Sequence, residues 1–238
     1  MEETCRGFVL KTVPYGDTGL IVKVLTDTQG APSFMVSGAK RRGKTSRAGL
    51  FSPMNHIAVT FIRKENRDLY TARQVSVQAM YPGLLTDIRK PAVAVYMAES
   101  LYRAGSERHH GDGLYHFALA QMEKLETSDR LSHFPQQFLA GLIDELGLTP
   151  QGRYSLQTPD FLLDEGAFRP AYSGEPGFSV RGGAAEYLSE LFRDTEPAAH
   201  PRDIRRETRR RLEEYLRLHL DGRFHLLSGE VLETVFDD

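Results

Sequence analysis

The chain has 238 residues, of which 40% are hydrophobic, 26% charged and 10% aromatic, and its formal net charge at pH 7 is −2. This composition is too apolar for a disordered chain, and no uncharged apolar run approaches the roughly 18 residues of a membrane-spanning helix. Cys5 is the only cysteine, which excludes an internal disulfide. Because the N-terminus begins acidic and has no signal-peptide pattern, the sequence predicts a globular cytoplasmic protein with no membrane segment.

The small net charge is a cancellation between two parts of the chain. Residues 1–80 contain 12 lysines and arginines against 6 acidic residues, a balance of +6. The other 158 residues contain 18 against 26, a balance of −8. A basic segment followed by an acidic one favours a polyanion partner for the first segment.

Short runs of β-branched and aromatic residues fill the basic segment, and turn residues separate them. No helical period lies between most of these runs, so five strands in about 75 residues predict a small barrel of OB type for residues 1–80. The predicted strands are centred on Phe8–Leu10, Leu20–Thr26, Ser33–Val36, His56–Arg63 and Leu69–Val77.

After Tyr81-Pro82-Gly83 the hydrophobic period changes from two to about 3.6, which predicts a mainly helical domain over residues 81–238. A stretch punctuated by proline and glycine, residues 149–183, interrupts it as an irregular insertion, and such a stretch is usually functional or a small excursion with short strands of its own. The fold class is therefore α+β with two domains. Helices are predicted over residues 87–103, 112–126, 132–146, 182–193 and 201–220.

Residues 38–45, GAKRRGKT, match the phosphate-binding pattern G-x4-G-K-[ST] at every specified position. In that motif Lys44 would reach the terminal phosphates and Thr45 would bind magnesium. The motif requires a parallel strand before the loop and a helix after it. Here the neighbouring strands indicate a meander, and residues 48–53 leave little room for a helix, so a nucleotide-hydrolysing enzyme is only an alternative.

The same segment carries a dense basic cluster with flexible glycines, on a barrel type that usually binds nucleic-acid strands. Phosphates would be held electrostatically while aromatic faces stack on bases, so the affinity should depend on salt and little on sequence. Candidate stacking residues are Tyr15, Phe34, Phe51 and Tyr70, although aromatics in small barrels are more often core. The predicted DNA contacts are Lys40, Arg41, Arg42, Lys44 and Arg47, with Arg63, Lys64, Arg67 and Arg73 as a second group.

The segment from Pro201 is an arginine-rich amphipathic helix. Its inward stripe is predicted to be Ile204, Thr208, Leu212, Tyr215 and Leu216, with all arginines except Arg211 on the opposite face. Interleaved acids allow pairs such as Glu207 with Arg211, so an exposed helix with many ion pairs is favoured over a second polyanion contact. The cysteine and histidine spacings match no zinc motif, and no catalytic set is evident. The arginines are Arg202, Arg205, Arg206, Arg209, Arg210, Arg211 and Arg217.

Several blocks of the sequence, taken in order, resemble the bacterial recombination mediator family RecO. At the N-terminus they are GFVLK from Gly7, YGDTGLIV from Tyr15, residues 26–30 and VSGAKR from Val36. Residues 138–148 resemble the family helix that ends in a Gly-hydrophobic-x-Pro turn, and residues 207–232 resemble its closing helices. The resemblance spans both ends and the middle, and leaves residues 149–183 as the divergent part.

The resemblance implies an OB barrel followed by a helical domain, without catalytic turnover. It implies a protein that binds single- and double-stranded DNA and anneals complementary strands. RecR, and in some cases RecF, would be partners in loading RecA onto strands coated by single-strand-binding protein, whose tail contacts the helical domain in some members. Many members carry a four-cysteine zinc module where this chain has residues 149–183. No cysteine is present there, so a module of that shape would have to be held by packing, and neither zinc nor any other cofactor is expected.

Together these observations predict a non-enzymatic DNA-binding mediator in the cytoplasm, associated with the nucleoid. The resemblance also interprets the apparent phosphate loop as the basic segment that follows the third barrel strand. Two alternatives stay open: a P-loop NTPase that uses Lys44 and Thr45, and a protein-interaction adaptor that does not bind DNA.

Overall fold

The computed structural model describes residues 1–39, 48–63, 67–105, 111–171, 178–193, 195 and 197–236. The chain forms two compact units, Met1–Asp129 and Arg130–Asp238. Among the described residues, the first unit contains a barrel and two α-helices, and the second contains four α-helices and a small sheet.

Five strands of the first unit form a closed barrel with the order β1-β2-β3-β5-β4. Antiparallel pairs join β1 to β2, β1 to β4, β2 to β3 and β4 to β5, while β3 pairs with β5 in parallel. The predicted five-stranded barrel of OB type is therefore confirmed. The strands are β1 (Glu2–Tyr15), β2 (Gly19–Thr26), β3 (Ser33–Val36), β4 (His56–Ile62) and β5 (Leu69–Ala79).

The barrel interior is apolar because its strands place alternate side chains inward. On β2, Leu20, Val22 and Val24 are buried, and the residues between them, Ile21 and Lys23, are only half-buried on the outer surface. The buried interior set is Cys5, Val9, Leu20, Val22, Val24, Phe34, Val36, Ala39, Phe51, Ile57, Val59, Phe61 and Val75.

Two helices of the first unit, α1 (Arg89–Ala104) and α2 (Gly111–Thr127), pack against β1 and β2. The Phe8 ring stacks on His56 at 4.4 Å between centroids and lies 5.8 Å from the ring of Tyr115 on α2. The Tyr115 hydroxyl is 3.2 Å from His56 Nε2. These contacts fix α2 over the outer side of the barrel at Phe8.

The helices of the second unit are α3 (Phe134–Glu145), α4 (Gly182–Leu191), α5 (Arg202–His219) and α6 (Ser228–Val235). Periodicity predicts the first three with ends shifted by a few residues. It does not indicate α6, whose eight residues are too few to establish a period and which only the family resemblance reaches. Helices α3 and α4 both pack on α5, whose buried residues include Thr208, Leu212, Tyr215 and Leu216.

The insertion at residues 149–183 has short strands of its own, β6 (Asp160–Leu162), β7 (Ala167–Arg169) and β8 (Ser179–Val180). They form an antiparallel sheet with β6 in the middle. Phe161 packs on Phe168 and Tyr215, at 5.1 and 5.5 Å between ring centroids, and the Tyr215 hydroxyl donates to the Leu148 carbonyl at 2.7 Å. Aromatic packing therefore contributes to holding the sheet. In the described part of the chain, no group of three or more His, Cys, Asp or Glu could hold a metal ion.

Candidate nucleic-acid interface

Three of the nine predicted DNA contacts belong to the described residues, and all three are exposed. Arg63 follows β4, Arg67 precedes β5, and Arg73 lies at the irregularity where the pairing of β4 with β5 shifts. The other six lie outside the described residues: Lys40, Arg41, Arg42, Lys44, Arg47 and Lys64.

Two of these arginines form long ion pairs with acidic side chains. Arg63 Nη1 is 3.8 Å from Glu3 Oε1, and Arg73 Nε is 4.0 Å from Glu2 Oε1. The arginine side chains are 57% and 59% exposed, and ion pairs at such positions contribute at most about 1 kcal/mol. A phosphate can therefore replace these carboxylates at little cost.

The strand registers define rows of neighbouring residues on the outer face of the barrel, across β1, β2, β3 and β5. Lys11, Lys23, Ser33 and Leu69 are successive partners across β1, β2, β3 and β5. A second row of register partners lies two residues away from the first row on each strand. It consists of apolar residues on β1, β2 and β3 and a threonine on β5. Beyond this row, Tyr15 of β1 pairs with Gly19 of β2. The second row is Val13, Ile21, Met35 and Thr71.

The lysines of the first row are cationic groups that the sequence patterns did not single out. Lys11 is exposed and its Nζ lies 4.9 Å from the centroid of the Tyr102 ring on α1. Lys23 is half-buried, and burial lowers the pKa of its ammonium group while the charge of Asp68 opposes that shift. Their register could not be read from the sequence, because it depends on how β1, β2 and β3 pair.

The four candidate stacking aromatics occupy different environments. Phe34 and Phe51 are buried in the barrel core, which rules them out as exposed platforms in this fold. Tyr70 is half-buried and packs against Phe61 at 4.9 Å between ring centroids. Tyr15 is 54% exposed at the end of the outer face. Of the four, Tyr15 alone presents a largely open ring.

The described residues at the start of the phosphate-loop match follow a strand of the barrel. Gly38 has a φ of 70°, in the left-handed region, just after β3. β3 pairs antiparallel with β2 and parallel with β5, but the antiparallel strand β4 comes between β3 and β5 in the chain, and a short 3-10 turn, Ala48–Phe51, precedes β4. Lys44 and Thr45 lie outside the described residues. This setting differs from the βαβ unit in which phosphate loops operate.

On α5 the prediction that every arginine except Arg211 faces outward is wrong for Arg209. The Arg209 side chain is 6% exposed and bonds to Glu213 on α5 and to Glu233 on α6. Glu233 also accepts from Arg206 at 2.7 Å and from Arg210 at 2.9 Å. Arg209 can be buried because Glu233 of α6 provides a carboxylate that pairs with its charge. The predicted Glu207–Arg211 pair forms at 2.8 Å.

A small cavity of about 50 Å³ lies beside this cluster in the second unit. Its lining combines apolar side chains with arginines from α5. Gln136 Nε2 donates to the Arg205 carbonyl at 2.8 Å, while the buried Gln136 Oε1 accepts no hydrogen bond from the described residues. The lining residues are Ser132, Pro135, Gln136, Arg202, Arg205, Arg206, Arg209, Leu232, Glu233 and Phe236.

A closed five-stranded OB-like barrel followed by a helical domain defines a two-domain α+β protein. Comparison with protein families is more specific. Residues 1–81 match the model described as Recombination protein O N terminal, and residues 85–228 match Recombination protein O C terminal. The chain therefore belongs to the RecO family.

Curated relatives cover nearly the full chain. The DNA repair protein RecO of Porphyromonas gingivalis is 27% identical over 241 residues, which are 98% of each chain. That of Phocaeicola vulgatus is 28% identical over 238 residues, 97% of each chain. That of Flavobacterium psychrophilum is 23% identical over 245 residues, 99% of this chain and 100% of the relative.

None of the helices in the described part of the chain has the length and hydropathy of a membrane-spanning segment.

Proposed function

We propose that this protein is a non-enzymatic DNA repair and recombination mediator that binds single- and double-stranded DNA and anneals complementary strands. In this role it works in the RecF pathway with RecR, and with RecF, to load RecA onto strands coated by single-strand-binding protein. It would act in the cytoplasm at the nucleoid. Membership of the RecO family supports the proposal. The observation that carries it is the open outer face of the barrel, with Lys11 and Lys23 in its first row and Arg63 and Arg67 in the chain that leads into Leu69.

The proposed mechanism is electrostatic. Each lysine or arginine that contacts a phosphate releases the counterions of that phosphate into solution. This release favours binding and does not depend on the base sequence. Two strands bound by one basic surface repel each other less, because part of their charge is neutralised. Complementary bases can then pair, and the duplex leaves without any chemical step.

The second unit would supply surfaces for protein partners. Residues 130–238 contain 13 basic residues against 19 acidic ones, a balance of −6, which disfavours DNA over most of that surface. The cavity beside α5 differs, because four arginines, two of them paired with Glu233, join Pro135, Leu232 and Phe236 in its lining. An acidic peptide with an apolar side chain has the matching chemistry, so single-strand-binding protein is a reasonable partner for this unit.

Fluorescence anisotropy of a labelled single-stranded oligonucleotide tests the proposal. We expect binding at low salt, with the logarithm of the association constant falling linearly as the logarithm of salt concentration rises. The same affinity for oligonucleotides of unrelated sequence is expected. Absence of binding even at low ionic strength, with co-purification of protein partners retained, would instead favour the adaptor without DNA binding.

A second measurement on the same preparation distinguishes the proposed mediator from the enzyme alternative. A P-loop NTPase that uses Lys44 and Thr45 would bind or hydrolyse ATP in the presence of magnesium. The mediator proposal expects neither activity from the pure protein. ATP turnover that a Lys44→Ala variant loses would support the enzyme.

A further inference from the structure

The outer side of the barrel that α2 covers contains a buried histidine. Leu25, Phe8 and His56 are register partners across β2, β1 and β4, so their side chains share one face. All three are buried, yet none is a member of the buried interior set given above. Tyr115 of α2 is 3% exposed and lies against Phe8 and His56. The contact between the barrel and α2 is therefore an apolar layer with one imidazole ring inside it.

We propose that the neutral form of His56 holds α2 on the barrel and that protonation of this ring releases α2. Release would expose Phe8 and Leu25, which are completely buried while α2 is packed. The first unit would thus carry an acid-sensitive latch. This inference does not depend on the proposed function, because it concerns only the packing of the first unit.

The hydrogen bonding of His56 suits the neutral ring alone. Nε2 is 3.2 Å from the Tyr115 hydroxyl oxygen, and either atom can donate when the ring is neutral. Nδ1 is buried and has no hydrogen-bond partner within the described residues. A protonated ring carries an N–H on both nitrogens, so Nδ1 would become a buried donor without an acceptor. An unsatisfied buried donor is unfavourable, and a charged one more so.

The surroundings of the ring also oppose a charge. The Phe8 ring lies nearly parallel to His56, with 4.4 Å between centroids and 20° between planes. His56 is only 5% exposed, so a charge on it would lose almost all contact with water. Burial of an ion without a counter-charge is disfavoured far more strongly than burial of the neutral group.

The charged and titratable neighbours of His56 come from β1, from the turn after β2 and from α2. Burial is the main cause that lowers the pKa of His56 below its ordinary value of 6.5, and the charge of Arg6 lowers it further while Asp27 opposes. Arg6 Nε and Asp27 Oδ2 are 2.9 Å apart, so these two charges partly cancel at the ring. On α2, burial raises the pKa of Tyr115, which keeps its hydroxyl neutral, and the adjacent His116 is exposed.

The direction of the pH effect follows from the lowered pKa of His56. A released ring regains water and titrates near its ordinary value of 6.5, whereas the packed ring takes up a proton only at lower pH. Between these two values the released form binds more protons, so packing weakens as the pH falls through that window. Above it both forms are neutral and the contact has its full strength. One proton taken up per release changes the equilibrium by at most about tenfold per pH unit.

Hydrogen exchange followed by mass spectrometry measures the release of α2. The quantity compared is the protection factor of the α2 amides at about pH 7.5 and about pH 5.5, each corrected for the intrinsic exchange rate at that pH. We expect this protection to fall severalfold, up to about tenfold, at the lower pH, while the amides of β3 keep theirs. His56→Phe keeps an aromatic ring on Phe8 but cannot titrate, so it should abolish the fall. The matched control His116→Gln removes an exposed histidine from α2 and should retain it.

Three results would overturn the inference. They are equal protection of α2 at the two pH values, a fall that His56→Phe retains, and an equal fall in α2 and β3, which would indicate unfolding of the whole unit. If His56→Phe does not fold, an NMR titration of the His56 ring in the unaltered protein decides. Protonation accompanied by loss of α2 protection would support the latch, and protonation that leaves α2 protected would overturn it.

Discussion

Replacement of Arg41, Arg42 and Lys44 together by alanine is expected to weaken binding of single-stranded DNA at low salt and to flatten its dependence on salt. For single strands the slope of log affinity against log salt is about −0.7 for each neutralised phosphate, so losing three contacts should reduce its magnitude by about 2. The anisotropy titration, repeated over several salt concentrations, measures both effects.

A matched control for that variant removes three exposed arginines from the second unit, Arg153, Arg169 and Arg193. It changes the net charge by the same amount but leaves the barrel intact. The control should retain most of the affinity and nearly the full slope. A slope that the barrel variant leaves unchanged would contradict the assignment of the basic segment to phosphate contact.

Replacement of Arg209 by alanine is expected to lower the free energy of unfolding by about 2 to 4 kcal/mol, because it removes a buried cation that joins α5 to α6 and leaves Glu213 and Glu233 with fewer partners. Arg210 shares Glu233, but its side chain is 51% exposed. Arg210→Ala should therefore cost less than about 1 kcal/mol. Urea unfolding followed by circular dichroism at 222 nm gives both values, and equal costs would contradict a special role for the buried residue.

The same cluster predicts a sensitivity to acid. Burial by itself would raise the pKa of Glu233, but the hydrogen bond from Arg210 and the charges of Arg209 and Arg206 outweigh it and lower the pKa below the ordinary value of 4.5. A carboxyl whose pKa is lowered by folding stabilises the fold above its unfolded pKa and loses that contribution as pH falls through the folded one. The loss from Glu233 should therefore begin near pH 4.5 and continue below it, and Glu233→Gln should remove that part of the pH dependence.

The strands of the barrel could be predicted from the sequence because each one is bounded by strong turn residues. The alternation of Leu20 to Thr26 also gives the face of β2 that is buried. The outer rows could not be predicted, since they require the register of β1 on β2 and of β3 on β5. Lys11 and Lys23 are 12 positions apart in the chain and become neighbours only through that register.

Burial of single residues was less predictable than the elements. An arginine on the polar face of an amphipathic helix is usually solvated. Arg209 is buried instead because it pairs with Glu233, which lies on α6, a helix that local periodicity does not indicate. The insertion shows the same limit. The lack of cysteines predicts that packing holds it, but the packing partner could not be predicted, because Phe161 packs on Phe168 and on Tyr215 of α5, which is 54 positions further along the chain.

Under the proposed function, this protein mediates pairing of DNA strands that are already coated by single-strand-binding protein. The most direct measurement is the rate of annealing of two complementary oligonucleotides, each saturated with single-strand-binding protein, with and without this protein over a range of salt. We expect the protein to accelerate annealing of coated strands at low and moderate salt, and the variant with alanine at Arg41, Arg42 and Lys44 to do so poorly. Acceleration confined to bare strands, or none at all, would contradict it.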